Sequence, residues 1–278
     1  MTTGRDVKPT AMTEHIQAAT DRQVGMSVTW LGHASVVLDL DGVRLLTDPL
    51  LRRHAGLLRR RGQAPARELW SDADGVLLSH LHHDHAEIGS LKMLTGVPVL
   101  GPPANAHWLR RHGVPSAVGL DDTQWWTVPG TSVTVRRVPA VHGHRPMPHR
   151  PNAVTGFVVR SQDITVWFAG DTELFPQMAH LEEMAGAPID LALVPVGGWG
   201  PRLSRGHMDP VQAAHAVAAC QARRAIPVHW GTLHAPVSAS LPPGWMDRAG
   251  PAFVAACARV APQCEPLLLA PGEQVNVA

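Results

Sequence analysis

An α/β architecture of two packed β-sheets with helices on their outer faces is what this sequence predicts, and three observations carry that expectation. Short apolar or alternating runs suited to strands recur from residue 26 onward, with helix-spaced segments among them, which excludes an all-α or an all-β chain. These runs fall into two halves, each of several strands followed by helices, with a midpoint near residues 120–130 and no flexible linker between them. The chain has 278 residues, 45% apolar and 17% charged, which is ordinary globular composition with ample material for one core.

Residues 1–25 mix Thr, Gln, Asp and Arg without apolar period and read as an arm preceding a single domain over 26–278. Residues 27–30, 35–40 and 43–47 read as strands. Asp41-Gly42 between the last two is a hairpin signal, because both central residues of a tight turn favour positive φ. Residues 50–70, with Arg52, Arg53, Arg59, Arg60, Arg61 and Arg67 among Gly and Pro, read as an irregular connection. A strand at 75–78, a helix at 86–94, a strand at 97–100 and a helix at 104–111 follow. The second half reads as strands at 132–138, 153–159 and 164–169, a helix at 174–184 and a strand at 191–194. A helix at 210–220 with Asp209 as N-cap, a strand at 225–228, a helix at 244–259 and a strand at 266–269 complete it.

Composition narrows the function classes. With 24 Lys+Arg against 23 Asp+Glu the net charge is +1, so no dominant phosphate-tracking surface is implied and nucleic acid is not the expected partner. Cys220, Cys257 and Cys264 are odd in number and lack metal-binding spacing, which fits small core residues in a reducing, cytoplasmic compartment. No apolar run reaches the roughly 18 residues of a membrane span. No Gly-x-Ser-x-Gly elbow or P-loop supports serine hydrolysis or NTP binding.

The unusual number is 17 histidines, and they cluster. Ser79-His80-Leu81-His82-His83-Asp84-His85 follows a strand and precedes a helix, where ligands converge in front of a rigid sheet. In an extended segment His80 and His82 point to one side and can meet one ion, whereas Asp84 and His85 reach a second position. Imidazole and carboxylate without thiolate suit Zn²⁺ in a catalytic role, and also Mn²⁺ or Fe²⁺. Two ions need further ligands, and His142, Asp171 and His229 each stand directly after a strand. Asp171, whose two oxygens can each face a cation, is the candidate bridge.

The motifs now resemble those of the metallo-β-lactamase-fold hydrolases, in the branch of N-acyl-phosphatidylethanolamine phospholipase D and the ascorbate-6-phosphate lactonase-like proteins. The matching segments are Trp30-Leu31-Gly32-His33-Ala34-Ser35, Leu45-Leu46-Thr47-Asp48-Pro49, Ser79 to His85, Phe168-Ala169-Gly170-Asp171-Thr172, Gly206-His207-Met208-Asp209-Pro210 and Val228-His229-Trp230-Gly231-Thr232. They occur in family order and span residues 30–232. The resemblance implies a four-layer αββα sandwich of two mixed sheets with two metals at one edge. It places one cation on His80, His82 and His142 and the other on Asp84, His85 and His229, with Asp171 bridging. His144, two residues beyond His142, is the alternative ligand there.

Two adjacent cations lower the pKa of a shared water toward neutrality, so the expected reaction is attack of a bridging hydroxide on a phosphodiester or similar anionic small-molecule ester. A lactone is the alternative substrate. A non-hydrolytic or redox member of the fold is the further alternative, against which stands the lack of a flavodoxin-like region and of a cysteine motif. Asp84 is expected to orient the nucleophile as well as bind metal, and His207, just before a helix N-cap, to contact substrate or donate a proton. Asp48 and His33 are candidates to hydrogen-bond the ligands and set their tautomers. The arginines of 52–67 are read either as a collector of anions or as a solvated loop, and the glycines of 197–200 as a place where substrate approaches backbone.

Overall fold

The structure is a computed structural model that describes residues 25–143 and 147–277. The expected arm therefore lies outside the described residues except for Gly25. Strands β1 (Met26–Gly32), β2 (Ser35–Leu40) and β3 (Val43–Thr47) form an antiparallel meander. Its second turn carries Asp41 and Gly42 at φ 47° and 81°, the positive pair that the Asp-Gly dipeptide predicts. The connection after β3 holds two small strands, β4 (His54–Ala55) and β5 (Leu58–Arg60). Strands β6 (Gly75–Leu77), β7 (Val99–Gly101) and β8 (Ala117–Gly119) then run parallel to β3, with helices α1 (Ile88–Leu91) and α2 (Pro103–Arg111) between them.

The second half repeats the plan. Strands β9 (Trp125–Thr127), β10 (Thr134–Val138), β11 (Gly156–Arg160) and β12 (Thr165–Phe168) are antiparallel in turn. Helix α3 (Leu181–Ala185), parallel strand β13 (Leu191–Pro195), α4 (Pro210–Ala219) and parallel strand β14 (Arg224–Val228) follow. Then come β15 (Leu233–His234), α5 (Ala249–Val260), β16 (Glu265–Pro266) and β17 (Gln274–Val277). Among the described residues the sheets read β17-β1-β2-β3-β6-β7-β8 and β16-β14-β13-β12-β11-β10-β9, with β15-β5-β4 as a small third sheet.

Side-chain alternation explains the layering. On β2, Val36, Leu38 and Leu40 face the second sheet and meet a layer that includes Val135, Phe157, Val159, Phe168 and Ile226. Val37 faces the other way, with Leu46, Val76 and Val99, onto Leu91, Ala106 and Leu109 of the first helical layer. Across the molecule, Val158, Trp167, Ala192 and Val194 meet Ala213, Val217, Phe253 and Cys257. Both faces of both sheets are covered, so their central strands are near-continuously apolar. The result is the αββα sandwich. All three cysteines are buried.

Several elements depart from expectation. The helix expected at 174–184 is a 3₁₀ turn, Pro176–His180, running into α3, since Pro176 opens a new helical start. The helix expected at 86–94 shrinks to α1, whose N-cap is Glu87, its side chain accepting from Gly89 N and Ser90 N. Of the last expected strand, 266–269, only Pro266 lies in a paired strand, as part of β16 (Glu265–Pro266) beside β14. The C-terminal segment instead crosses back as β17, antiparallel to β1.

What the fold does for function is to bring the carboxyl ends of β3, β6, β12 and β14 to one edge of the sandwich. No helix among the described residues is long and apolar enough to cross a membrane.

Candidate metal centre

Each candidate ligand sits just past a strand end, where a turn aims it into the gap between the sheets. Ser79 to His85 leave β6, His142 follows β10, Asp171 follows β12 and His229 follows β14. His80, His85, Asp84, His142, Asp171 and His229 are all buried. Asp171 Oδ2 lies 3.0 Å from His85 Nε2, 3.2 Å from His229 Nε2, 3.9 Å from His142 Nε2 and 4.0 Å from His80 Nε2. Asp84 Oδ2 lies 3.4 Å from His229 Nε2 and 3.6 Å from His85 Nε2. His142 Nε2 and His82 Nδ1 are 3.1 Å apart. The structure thus brings all seven candidates together, in two groups that meet at one carboxylate oxygen. His144 lies outside the described residues.

The hydrogen bonds behind the rings decide which nitrogen faces inward. Asp48 accepts from Ser79 N at 2.7 Å, from Ser79 Oγ at 2.5 Å and from His85 Nδ1 at 2.6 Å. Ser79 spends its one hydroxyl proton on Asp48, so its oxygen accepts from His80 Nδ1–H at 2.9 Å. That leaves His80 Nε2 with a lone pair, and the atom is buried without a protein partner, as is Asp171 Oδ1. His142 Nδ1 donates to Gly206 O at 2.6 Å and His229 Nδ1 to Gly197 O at 3.0 Å. Four imidazoles therefore turn their Nε2 atoms toward a common space. His85 Nε2 and His229 Nε2 are 3.1 Å apart, a distance two lone pairs tolerate only with a proton or a cation between them. The donor set fits divalent cation binding on these grounds.

Electrostatics agrees. Burial works against a charged Asp171, but the imidazoles of His229, His85 and His207 outweigh it and hold its carboxyl well below the usual range. Burial likewise opposes charge on Asp84, and His85, His229 and His33 overcome it. His80 is driven well below its ordinary value by burial, and His142, for the same first reason, to about 4. Burial opposes protonation of His229 too, yet Asp171 and Asp84 raise it to about 9, and His85 is raised in the same direction.

The outer candidates have defined places. His33, lowered to about 3 by burial and then by His229, is a neutral ring whose Nε2–H donates to Asp84 Oδ2 at 3.0 Å. Backbone strain concentrates here, with His33, Asp48 and His229 at φ 54°, 31° and 62°. The turns hold one another: His229 N donates to His33 O at 2.9 Å, and His33 N donates to Thr232 Oγ1 at 2.7 Å. Gly170 takes φ 62°, and a Cβ there would stand 2.7 Å from Ser79 Cβ. His207 Nε2 lies 3.3 Å from Asp171 Oδ2, and its Nδ1 lies 3.1 Å from Ser204 O. With His82, Asp84, His142, Asp171, Trp199 and Ser204 it lines a cavity of about 30 Å³.

Two sequence readings sharpen. Arg60 of the arginine-rich connection is buried, donating to Leu31 O at 2.7 Å and Leu50 O at 2.6 Å, and burial lowers it to about 10. It braces the turn that bears His33 rather than gathering anions, and Arg61 pairs with Asp247. The glycine-rich 197–200 segment supplies the carbonyl that orients His229. Sequence reasoning passed over Ser79 and Thr232; their hydroxyls stand beside ligand motifs, a signal visible only once the partners are placed.

Comparison with known proteins places the molecule. Residues 43–230 match a family described as the Beta-lactamase superfamily domain. The chain belongs to the β-lactamase superfamily, as a metal-dependent hydrolase of the metallo-β-lactamase fold. A relative in Caenorhabditis elegans, N-acyl-phosphatidylethanolamine-hydrolyzing phospholipase D 1, is 30% identical over 231 residues, covering 75% of this chain and 64% of that protein. A metal-dependent hydrolase of Pyrobaculum arsenaticum is 31% identical over 209 residues, covering 74% of this chain and 85% of that one. In fold, a metallo hydrolase from Ignicoccus hospitalis superposes with a TM-score of 0.69 at 21% identity, over 90% of this chain and 97% of that chain.

Proposed function

We propose that this centre holds two divalent cations, Zn²⁺ before Mn²⁺ or Fe²⁺, and hydrolyses a phosphodiester or similar small anionic ester. The observation that carries the reading is the position of Asp171 Oδ2, within 4.0 Å of Nε2 on His80, His85, His142 and His229. His80, His82 and His142 would hold one cation, Asp84, His85 and His229 the other, and Asp171 both. Such a pair supplies Lewis acidity and lowers the pKa of water toward neutrality.

The protein's own groups do the rest. His33 keeps Asp84 ionised and oriented through its Nε2–H, so that one carboxylate oxygen is left for the nucleophile or its proton. Asp48 fixes the His85 tautomer directly and that of His80 through Ser79. His207, anchored at Nδ1 by the Ser204 carbonyl, presents Nε2 to the cavity, where its protonated form can donate to a leaving oxygen.

The phosphodiester class is favoured by the name of the Caenorhabditis elegans relative. Elemental analysis with a screen of phosphodiesters, lactones and thioesters tests it. The expected result is two cations per chain and saturable turnover of a phosphodiester, with His207→Ala lowering kcat while retaining both cations. One cation or none, or preference for a lactone, would refute the respective part.

A further inference from the structure

Segment 149–155 lies against the turn that carries His80 to His85. Thr155 N donates to Ser79 O at 3.1 Å, and helix α2 holds the same segment by Asn105 Nδ2 to Ala153 O and Trp108 Nε1 to His149 O, each 2.9 Å. Arg150 stands at its centre. Its Nη1 donates to Leu81 O at 2.8 Å and Ala86 O at 3.2 Å, and its Nη2 donates to His83 Nδ1 at 3.0 Å. The guanidinium also lies over the Trp108 ring, 4.9 Å from its centroid.

We infer that Arg150 is a positioning residue that clamps the His80–His85 turn and so sets the geometry of the His80/His82/His142 half of the centre. The inference rests on the reading of that cluster as a metal centre. Leu81 and Ala86 bracket His82, Asp84 and His85, so the two carbonyls gripped by Nη1 define the curvature of the whole turn. His83 stands inside it, and its role follows: it is the neutral acceptor that completes the fork. A guanidinium suits this place because its donors are fixed in one plane and meet three acceptors at once, which an ammonium on a flexible stem does not reproduce. The clamp bears most directly on His82, which follows the gripped Leu81 carbonyl and whose Nδ1 stands 3.1 Å from His142 Nε2.

The test is a competition titration of the full chain with Co²⁺ or Zn²⁺ against a chromophoric chelator, with the Co²⁺ visible spectrum recorded at each equivalent. Wild-type protein is expected to bind two equivalents. In Arg150→Gln one equivalent should weaken by about 10–100-fold with an altered Co²⁺ spectrum while the other is retained. Arg150→Lys, which preserves charge without the fork, should not recover the wild-type spectrum. Unchanged titration and spectrum in both variants overturn the proposal, and so does equal weakening of both equivalents, which would make Arg150 a general brace of the fold. A wild-type chain that binds no cation overturns the metal reading itself and this proposal with it.

Discussion

At the scale of single residues, the centre depends on atoms that never touch a substrate. The hydroxyl of Ser79 relays the charge of Asp48 to His80 and so decides which ring nitrogen faces inward. Gly170 sits against that serine in a left-handed conformation, where a Cβ would also lie 2.9 Å from Thr155 O. Gly170→Ala should therefore cost at least about 1 kcal/mol of folding stability, checked by urea denaturation, and weaken cation binding by displacing Ser79. Protons compete for the same positions. His229, held at about 9, and His85, raised likewise, are protonated at neutral pH when Asp171 and Asp84 are their only counterparts, and must lose those protons to accept a cation. Affinity should rise with pH up to about 9, with proton release on binding; calorimetry in two buffers of different ionisation enthalpy measures it. His80 and His142, lowered by burial, bring no protons to release.

Among the elements, α4 joins stability to chemistry. Asp209 caps it with a capping box: Oδ1 accepts from Val211 N and Gln212 N, and the Gln212 side chain accepts from Asp209 N. His207 lies two residues ahead of the cap, so Asp209→Ala should both destabilise the chain by about 0.5–2 kcal/mol and depress kcat, read from denaturation and steady-state kinetics. A cap that served the helix alone would leave kcat unchanged. This cap was legible in the sequence because Asp209-Pro210 puts a side-chain acceptor before a proline at the first helical position. The Asp-Gly hairpin and the cluster after β6 were legible for the same reason, since each is a local pattern with a local cause. Strands β8, β9 and β17 were not, being only three or four residues long, and β17 is held besides by β1, far away in sequence. Nor was Arg60 distinguishable from its neighbours, because nothing local marks one arginine of six for burial.

For the whole molecule, the decisive fact is that His80, His82, Asp84 and His85 come from the first sheet and His142, Asp171 and His229 from the second. On the proposed reading, ligands that meet only when the sheets dock make cation binding part of folding. At a thousandfold excess over Kd a bound cation adds about 4 kcal/mol. Chelation should thus lower the Tm on the order of 10 °C, a shift measured by differential scanning fluorimetry with and without chelator. A Tm indifferent to chelator would mean that the cluster is preformed and empty.

The return of β17 to the flank of β1 has a consequence for how the chain is made. Met26 pairs with Val277, so the first described strand of the sandwich borders a segment translated long after it. Until that stretch clears the ribosome, the nascent first half exposes the backbone amides and carbonyls along one side of its opening strand, a temporary docking line for stray chains.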